Sequence, residues 1–385
     1  MLCERIQVSE IYPSVYTDRM KQRSNRREFL KGRSLVQAAR QAIDDFEFNV
    51  PDLSIDVVEK KQAAYLESYE KRAMACTWEL MFNMQQYRES GLAAAKAMQL
   101  IDDLESQLTI YDEDSEVSNL NLNAADEPYV VAANLFDLLQ RAKSIHESTG
   151  GAFDITSGQL SSVWGFEQRK GSVPDEETLK KALGSIGMQH LKLDADSRSV
   201  SFAVPNLKVN LGGIGKGYAI DCVAAGIRDH GIEDFVLHGG QSSVIAAGNQ
   251  KDIQSDSASG WPVGLSHPVQ PDRRLAEFYL RDAALGTSGT ARQGFFHKGK
   301  RYGHIIHPKT GWPTDHLLST TVISGSAELS DALATAFIVM PIEEIEAFCR
   351  EQTDVSVVLV SEADGEKGKV QLDWFNLEDA DWKRS

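Results

Sequence analysis

The sequence predicts an α+β fold in which mixed or antiparallel sheets are flanked by helices. Segments with the character of strands outnumber segments with helical spacing, and the two kinds do not alternate regularly, as a doubly wound sheet would require. The length of 385 residues and the hydrophobic share of 42% provide enough apolar surface for one large or two medium cores.

Composition and charge narrow the possible functions. A net charge of −16 argues against a general nucleic-acid binder, and no apolar run reaches the roughly 18 residues of a membrane-spanning helix. The cysteines Cys3, Cys76, Cys222 and Cys349 lack the spacing of a zinc site or a disulfide framework, so a reducing cytoplasm is the predicted compartment. Residues 25–31, NRREFLK, resemble a twin-arginine export pattern, but no apolar stretch follows them.

The chain is predicted to divide into an N-terminal extension, residues 1–66, and one folded domain, residues 67–385. The extension is charged and partly helical in pattern. In the domain, a strand rich in β-forming residues is predicted over 72–83. A helix is predicted over 86–109, because apolar residues recur there at helical spacing.

The second half of the domain is predicted to be rich in strands. A hairpin is predicted over 191–204, and a short strand at 208–210 leads through a glycine-rich turn into a helix that ends before Gly231. The remaining predicted elements are a helix over 134–147, strands over 235–248, 261–267, 276–287, 317–325 and 355–360, and one late helix over 329–340.

The glycine-rich stretch NLGGIGKGYAID, residues 210–221, is the first candidate site. Four glycines stand among the six residues 212–217, and glycine turns that open a helix commonly bind phosphate through bare backbone N–H groups. Lys216 would add a positive charge, although the spacing fits neither a Walker loop nor a dinucleotide fingerprint. In the simpler alternative, Gly212 and Gly213 make a tight turn and Lys216 is solvated.

The late helix supplies a second candidate. Asp331 and Thr335 are four residues apart, so they lie on one face of the predicted helix. A carboxylate and a hydroxyl oxygen together suit a hard cation such as Mg²⁺. The alternative is that Asp331 complements the helix dipole and Thr335 bonds back to a carbonyl.

Two histidines stand in RYGHIIHPKTGWP, residues 301–313. His304 and His307 are three apart on a segment predicted to be extended, so they should face opposite ways and are poorly placed to share a metal. A general base or a phosphate partner is the more plausible role for one of them, and a hydrogen-bonded core histidine is the alternative. Residues 108–121 and 150–160, rich in Ser, Asn and Asp, are predicted to be loops.

Six stretches, in chain order, resemble motifs of the ApbE family, the FAD:protein FMN transferases. They are SQLTIYDEDSEVSNLN, GAFDITSGQL, NLGGIGKGYAID, LGTSGT, HIIHPKTGWP and SDALATA, and the resemblance covers about residues 68–345. It implies a layered α+β fold related to the T-fold. It also implies Mg²⁺-dependent transfer of FMN from FAD to a Ser or Thr of a target flavoprotein, with release of AMP.

The resemblance also implies roles for single residues. Asp331 and Thr335 would bind the metal through side-chain oxygens and Gly213 through its backbone carbonyl, while His304 would activate the acceptor hydroxyl. The residues that would contact FAD are Met74, Tyr111, Asn121, Ala152, Phe153, Asp154, Asn210 and Lys216.

The chain departs from the family pattern at several of these motifs. Asn210 and His307 stand where the family has aspartates, and GGQSSVIAAG replaces the usual GGNIRALG. Two alternatives to transfer therefore stay open: hydrolysis of FAD to FMN and AMP at the same metal site, and FAD binding without chemistry.

Overall fold

The computed structural model describes residues 61–63, 66–167, 170–250, 260–290, 293–363, 368–378 and 382–384. The partly helical character predicted for the extension and the twin-arginine-like stretch lie outside these residues. The boundary at residues 66 and 67 stays a prediction. The first described strand, Lys61–Ala63, lies on the N-terminal side of that boundary and already pairs with the strand that follows it.

A nine-stranded antiparallel sheet forms the centre of the protein, with strand order β1-β2-β3-β7-β8-β11-β14-β15-β16. The remaining described strands form a three-stranded sheet β17-β10-β9, a hairpin β12-β13 and a small sheet β4-β6-β5. The strands are β1 Lys61–Ala63, β2 Leu66–Ala73, β3 Cys76–Asn83, β4 Tyr129–Val130, β5 Leu191–Asp194, β6 Ser199–Phe202, β7 Phe235–Gly239, β8 Ser243–Ala247, β9 Trp261–Ser266, β10 Arg274–Leu280, β11 Ala283–Gly289, β12 Gly294–His297, β13 Lys300–Gly303, β14 Ser319–Ser324, β15 Ser356–Glu362, β16 Val370–Phe375 and β17 Trp382–Arg384.

Eight α-helices lie within the described ranges. They are α1 Ser90–Leu108, α2 Glu116–Asn123, α3 Ala133–Ser148, α4 Gly158–Val163, α5 Glu176–Leu183, α6 Gly215–Asp229, α7 Ala327–Val339 and α8 Ile342–Glu351. No helix among them is both long enough and apolar enough to cross a bilayer.

The central sheet separates two cores, because successive side chains of a strand point to opposite faces. Ile245 of β8 belongs to the large core under the helices, whereas its neighbour Val244 belongs to the second core. On that second side the sheet packs against β9, β10 and β17, where Trp261, Phe278 and Trp382 are buried. The protein therefore has three layers, and the predicted α+β class with antiparallel sheets is confirmed.

Four strand predictions are corrected. The stretch predicted as strand over 235–248 is the antiparallel hairpin of β7 and β8. The strand predicted over 72–83 is the end of β2, a turn and β3, because Met74 and Ala75 adopt φ angles of 47° and 59°. The stretch 276–287 holds β10 and β11, which belong to different sheets and are separated at Asp282, with φ 48°. The strand predicted at 208–210 is a single bridge from Lys208 to Ser157.

The segments predicted as loops contain helices. Ser115 Oγ accepts from the Ser118 N–H at 3.0 Å and so begins α2, and α4 begins within 150–160. Sequence analysis also missed α5 and α8, together with β1, β4, β12, β13, β16 and β17.

The N-termini of α6 and α7 meet at very close range. A Cβ placed on Gly217, in the first turn of α6, would lie 2.1 Å from the Ala327 carbonyl oxygen at the start of α7. One turn further along α6, Asp221 accepts hydrogen bonds from Ser326 Oγ at 2.7 Å and from the N–H groups of Ala327 and Glu328 at 2.9 Å each. The glycine-rich stretch therefore supplies both the contact and the cap that place α7.

We expect Gly217→Ala to lower the free energy of unfolding by at least about 3 kcal/mol, because backbone would have to move to admit the methyl group. Gly226→Ala is the matched control in the same helix, since a Cβ there meets no atom within 4 Å. That variant should gain about 0.5–1 kcal/mol from helix propensity. Urea unfolding of both variants measures this. Equal changes in the free energy of unfolding would show that the contact between α6 and α7 at Gly217 is not tight.

Candidate active site

Helix α7 presents Asp331 and Thr335 toward the glycine-rich loop. A Cβ placed on Gly213 would lie 3.3 Å from Thr335 Oγ1 and 3.3 Å from Phe153 Cε2. The loop backbone therefore lies directly against the Thr335 hydroxyl. The three residues predicted to bind a metal are brought together by this approach of loop and helix.

Asp331 is buried, with 7% of its surface exposed, and both carboxylate oxygens have partners. Oδ1 accepts from Ser243 Oγ at 2.6 Å, and Oδ2 accepts from the Gly217 N–H at 2.8 Å. Burial raises the pKa of Asp331 above its ordinary value, whereas the charge of Lys216 and the two hydrogen bonds oppose this shift.

Lys216 completes the network on the other side of Ser243. Its Nζ donates to Ser243 Oγ at 2.9 Å and to Ser242 Oγ at 2.5 Å. Ser243 thus accepts from the ammonium group and donates to the carboxylate of Asp331. The simpler alternative for Lys216, a solvated side chain at a tight turn, does not describe this arrangement.

The donor set fits a hard cation such as Mg²⁺. Among the described residues, no group of three or more His, Cys, Asp or Glu side chains could hold a metal ion. A cation here would instead use the Asp331 carboxylate, the Thr335 hydroxyl and the Gly213 carbonyl, all of them oxygens. Mg²⁺ is often held in this way by one or two carboxylates, with waters and substrate phosphates filling the other positions.

The alternative for the late helix, α7, was that Thr335 bonds back to a carbonyl and Asp331 complements the helix dipole, and this is partly present as well. Thr335 Oγ1 donates to the Asp331 carbonyl at 3.1 Å, and it also lies 3.1 Å from Ser288 Oγ. Asp331, however, accepts from the N-terminus of α6, so it complements the neighbouring helix rather than α7. Whether Thr335 binds a cation or only bonds back to the Asp331 carbonyl, its hydroxyl oxygen faces the loop at Gly213.

The loop 150–157 lies beside the glycine-rich stretch. Phe153 is buried against Gly213, and the Asn210 N–H donates to the Ile155 carbonyl at 2.7 Å. Asp154 Oδ1 accepts from the N–H and the hydroxyl of Thr156, so this carboxylate orders its own turn. Ala152 precedes these residues and is partly buried against the large core.

The other predicted FAD contacts have mixed surroundings. Both ends of the Asn121 amide are engaged by the backbone of Val209, at 2.9 and 2.7 Å, so this side chain anchors the chain leading into the glycine-rich stretch. The Met74 N–H donates to Glu105 Oε1 at 2.7 Å in the turn between β2 and β3. Tyr111 is 78% exposed and free to cover a ligand.

His304 follows β13 and is partly buried. Burial lowers the pKa of His304 below its ordinary value, the nearby Gln293 carbonyl opposes this shift, and the charge of Arg301 adds to it. The contact with Gln293 falls outside regular hydrogen-bond geometry, so buried Nδ1 has no regular partner among the described residues. The ring is therefore neutral at neutral pH and able to accept a proton.

A short path of contacts joins His304 to the three residues predicted to bind a metal. A Cβ on Gly303, the residue before His304, would lie 3.5 Å from the Thr290 carbonyl oxygen. Thr290 stands two residues beyond Ser288, whose hydroxyl contacts Thr335. The end of β11 thus connects the two parts of the site.

His307 has different surroundings from His304. Its Nδ1 accepts from the Lys309 N–H at 3.1 Å, and the Gly311 N–H donates to its carbonyl at 2.8 Å. Burial, Lys309 and His316 lower the pKa of His307, so Nδ1 stays an acceptor at neutral pH. His307 therefore orders the turn in which it stands.

Sequence analysis missed the polar partners that hold the predicted residues. Ser243 and Ser288 come from strands distant in sequence from α7, and Asp221 was quoted as part of NLGGIGKGYAID without a role. In GGQSSVIAAG, Ser242 and Ser243 depart from the family pattern. This departure was the available signal for Ser243.

The fold and the site together define a class: three layers of α+β structure with a glycine-rich loop that lies against the oxygen-bearing side chains of α7. Residues 74–359 match the model of the ApbE family. The chain therefore belongs to the ApbE family, and the resemblance predicted from six sequence stretches is confirmed.

Individual relatives agree with this assignment. The chain is 30% identical to the FAD:protein FMN transferase of Vibrio cholerae, over 74% of this chain and 85% of that protein. It is 27% identical to the FAD:protein FMN transferase of Escherichia coli K12, over 80% of this chain and 88% of that protein. Among solved structures, the flavin transferase ApbE from Vibrio cholerae matches with a TM-score of 0.70 and 27% identity, covering 80% of this chain and 97% of that chain. The ApbE protein of Thermotoga maritima matches with a TM-score of 0.71 and 25% identity, covering 80% and 96%.

We expect the imidazole of His304 to titrate below the ordinary histidine pKa of about 6.5, because burial disfavours the charged ring. A pH series of NMR spectra of the histidine ring nitrogens, assigned with His304→Gln, measures this value. A His304 pKa at or above about 6.5 would contradict the environment described.

Proposed function

We propose that this protein is an FAD:protein FMN transferase, which moves FMN from FAD to a Ser or Thr of a target flavoprotein with Mg²⁺ bound. The observation that carries the proposal is that Lys216, Asp331 and Thr335 converge on the glycine-rich loop at Gly213 and Gly217. The names of the relatives support the same activity.

The reaction joins the acceptor oxygen to the phosphorus of the FMN half of FAD. The O–H bond of the acceptor and the P–O bond to the AMP phosphate break, and AMP leaves. Bound Mg²⁺ would supply positive charge to the phosphate oxygens, and Asp331, Thr335 and the Gly213 carbonyl would hold it there. His304, neutral at neutral pH, takes the proton of the acceptor hydroxyl.

The residues that differ from the family pattern keep the hydrogen bonds that an aspartate would make. Asn210 Oδ1 accepts from the Gly212 N–H at 2.9 Å, and His307 Nδ1 accepts from the Lys309 N–H at 3.1 Å. In each case the acceptor bonds the backbone two residues later, as an aspartate does in an Asx turn. The two substitutions thus preserve the turns, which favours an active enzyme over a protein that binds FAD without chemistry.

Incubation of the purified protein with FAD, Mg²⁺ and candidate acceptor proteins tests the proposal. We expect covalent flavin fluorescence on an acceptor together with AMP in equal amount. Free FMN with AMP and no labelled protein would assign FAD hydrolysis instead, and unchanged FAD in the presence of bound flavin would assign binding alone. Either of these results contradicts the transferase.

Histidine variants sharpen the same assay. His304→Ala should lower the transfer rate about 10²- to 10⁴-fold through loss of the base, while FAD affinity stays within about tenfold. His307→Asp keeps an acceptor for the Lys309 N–H and should preserve or raise the rate, whereas His307→Ala removes that acceptor and should lose part of the rate. The acidic limb of the wild-type pH profile should lie below pH 6.5, because a base with a lowered pKa stays deprotonated to lower pH. If His307→Ala lowers the transfer rate as much as His304→Ala does, then His304 is not the base.

A further inference from the structure

Ser243 is a buried serine that the mechanism proposed above does not use. It begins β8, with 0% of its surface exposed. Its Oγ donates to Asp331 Oδ1 at 2.6 Å, a length within the range of about 2.5–2.7 Å typical of a hydroxyl bonded to a carboxylate. The two residues are 88 positions apart in the sequence, so the fold brings this pair together.

The direction of the Ser243 hydroxyl proton follows from the neighbours of its oxygen. An ammonium group can only donate, so Lys216 Nζ, at 2.9 Å, uses the Ser243 oxygen as an acceptor. The single hydroxyl proton is then left to donate. Asp331 Oδ1 at 2.6 Å is a closer acceptor than Ser242 Oγ at 3.4 Å. Ser243 therefore presents a fixed donor to the Asp331 carboxylate.

Glycines on both neighbouring strands flank Ser243. In the sheet it is paired with Gly239 of β7 and with Gly286 of β11. A Cβ placed on Gly286 would lie 2.5 Å from the Ser330 carbonyl carbon and 2.7 Å from the Asp331 nitrogen. The backbone of α7 thus rests on β11 directly beside Ser243. Because backbone packing sets this approach, the distance between the hydroxyl and the carboxylate is fixed by the fold.

Two donors from different elements orient the Asp331 carboxylate. Ser243 of β8 bonds to Oδ1, and the Gly217 N–H of α6 bonds to Oδ2 at 2.8 Å. A carboxylate oxygen has two lone pairs, so each oxygen keeps one lone pair beyond these bonds. The carboxylate cannot rotate about its last side-chain bond without losing a donor. The two hydrogen bonds therefore determine where the remaining lone pairs point.

We propose that Ser243 is a positioning residue for the cation site, whose hydroxyl holds the Asp331 carboxylate in the orientation that binds the metal ion. The inference rests on the transferase activity proposed above and adds a residue to the site of that reaction. Ser243 acts through Asp331 and does not itself contact the ion. Loss of a hydrogen-bonding partner behind a metal ligand commonly lowers metal affinity about 10- to 100-fold.

Ser242 offers a matched control one residue earlier in the chain. Its Oγ also accepts from Lys216 Nζ, at 2.5 Å, and its other hydroxyl contact is Ser243. Loss of the Ser242 hydroxyl would disturb Lys216 but leave the bond from Ser243 to Asp331 in place. Loss of the Ser243 hydroxyl would disturb both Lys216 and Asp331.

Titration of the FAD-loaded, full-length protein with Mn²⁺, followed by electron paramagnetic resonance of the free ion, tests the proposal. We expect Ser243→Ala to lower Mn²⁺ affinity about tenfold, with the circular dichroism spectrum retained. Ser243→Cys keeps a weaker donor and should fall between Ser243→Ala and the wild type. Ser242→Ala should keep Mn²⁺ affinity within about twofold. FAD affinity of all three variants, measured by flavin fluorescence without divalent cations, should stay within about threefold of the wild type.

A double-mutant cycle separates positioning from general support of the fold. If Ser243 acts through Asp331, Ser243→Ala should cause no further loss of Mn²⁺ affinity in an Asp331→Asn background. A serine that only supports the packing should lower the affinity by the same factor in both backgrounds.

Three results would overturn the proposal: unchanged Mn²⁺ affinity in folded Ser243→Ala, an equal loss in Ser242→Ala, or the same further loss in the Asp331→Asn background. If Ser243→Ala does not fold, unchanged Mn²⁺ affinity in Ser243→Cys overturns the proposal, and a lowered affinity there supports it.

Mn²⁺ binding does not require chemistry, so the proposed activity is judged separately. Mn²⁺ affinity that depends on Ser243 and Asp331, without flavin transfer to any acceptor, would contradict the transferase and leave the positioning role standing. Flavin transfer by the wild type together with unchanged Mn²⁺ affinity in Ser243→Ala would do the reverse.

Discussion

The close contact between the N-termini of α6 and α7 is the constraint on which the rest of the site depends. Gly217 admits the Ala327 carbonyl where any side chain would collide, and Asp221 caps α7 from the same helix. One turn into α7, Asp331 receives the Gly217 N–H in return. The two helices thus determine each other's position, and the glycine-rich loop and the carboxylate are brought together as a consequence.

The electrostatics of the site follow from this contact. A buried carboxylate is unfavourable unless it is hydrogen-bonded or paired with positive charge. Asp331 has two hydrogen bonds, and Lys216 reaches it through Ser243, but burial still raises its pKa. An additional cation at Asp331 and Thr335 would relieve that imbalance. In the proposed mechanism, the neutral His304 across the end of β11 would act as the base.

Sequence reasoning found the parts of the site that lie within short motifs. Asp331 and Thr335 were paired from their spacing in SDALATA, whereas Gly213 was added to them only by the resemblance to the ApbE family. Ser243 was not found, because its contact with Asp331 depends on strand order, which places β8 beside α6 and α7. The β2–β3 turn was missed because Met74 and Ala75 are not residue types that favour positive φ. The β12–β13 hairpin was missed as well, although Gly299 in its Lys298–Gly299 turn is a residue type that favours positive φ. The departures at Asn210 and His307 could be seen in the sequence. Only the structure shows that both side chains still accept a hydrogen bond from the backbone.

The central claim is that Asp331, held by α6, α7 and Ser243, is the carboxylate of a cation site, and Mn²⁺ binding tests it most directly. Titration of the FAD-loaded protein with Mn²⁺, followed by electron paramagnetic resonance of the free ion, measures affinity without requiring transfer. The account predicts one site in the wild type and a loss of at least about tenfold in affinity for Asp331→Asn, with the circular dichroism spectrum retained. Unchanged Mn²⁺ affinity in a folded Asp331→Asn protein would contradict it.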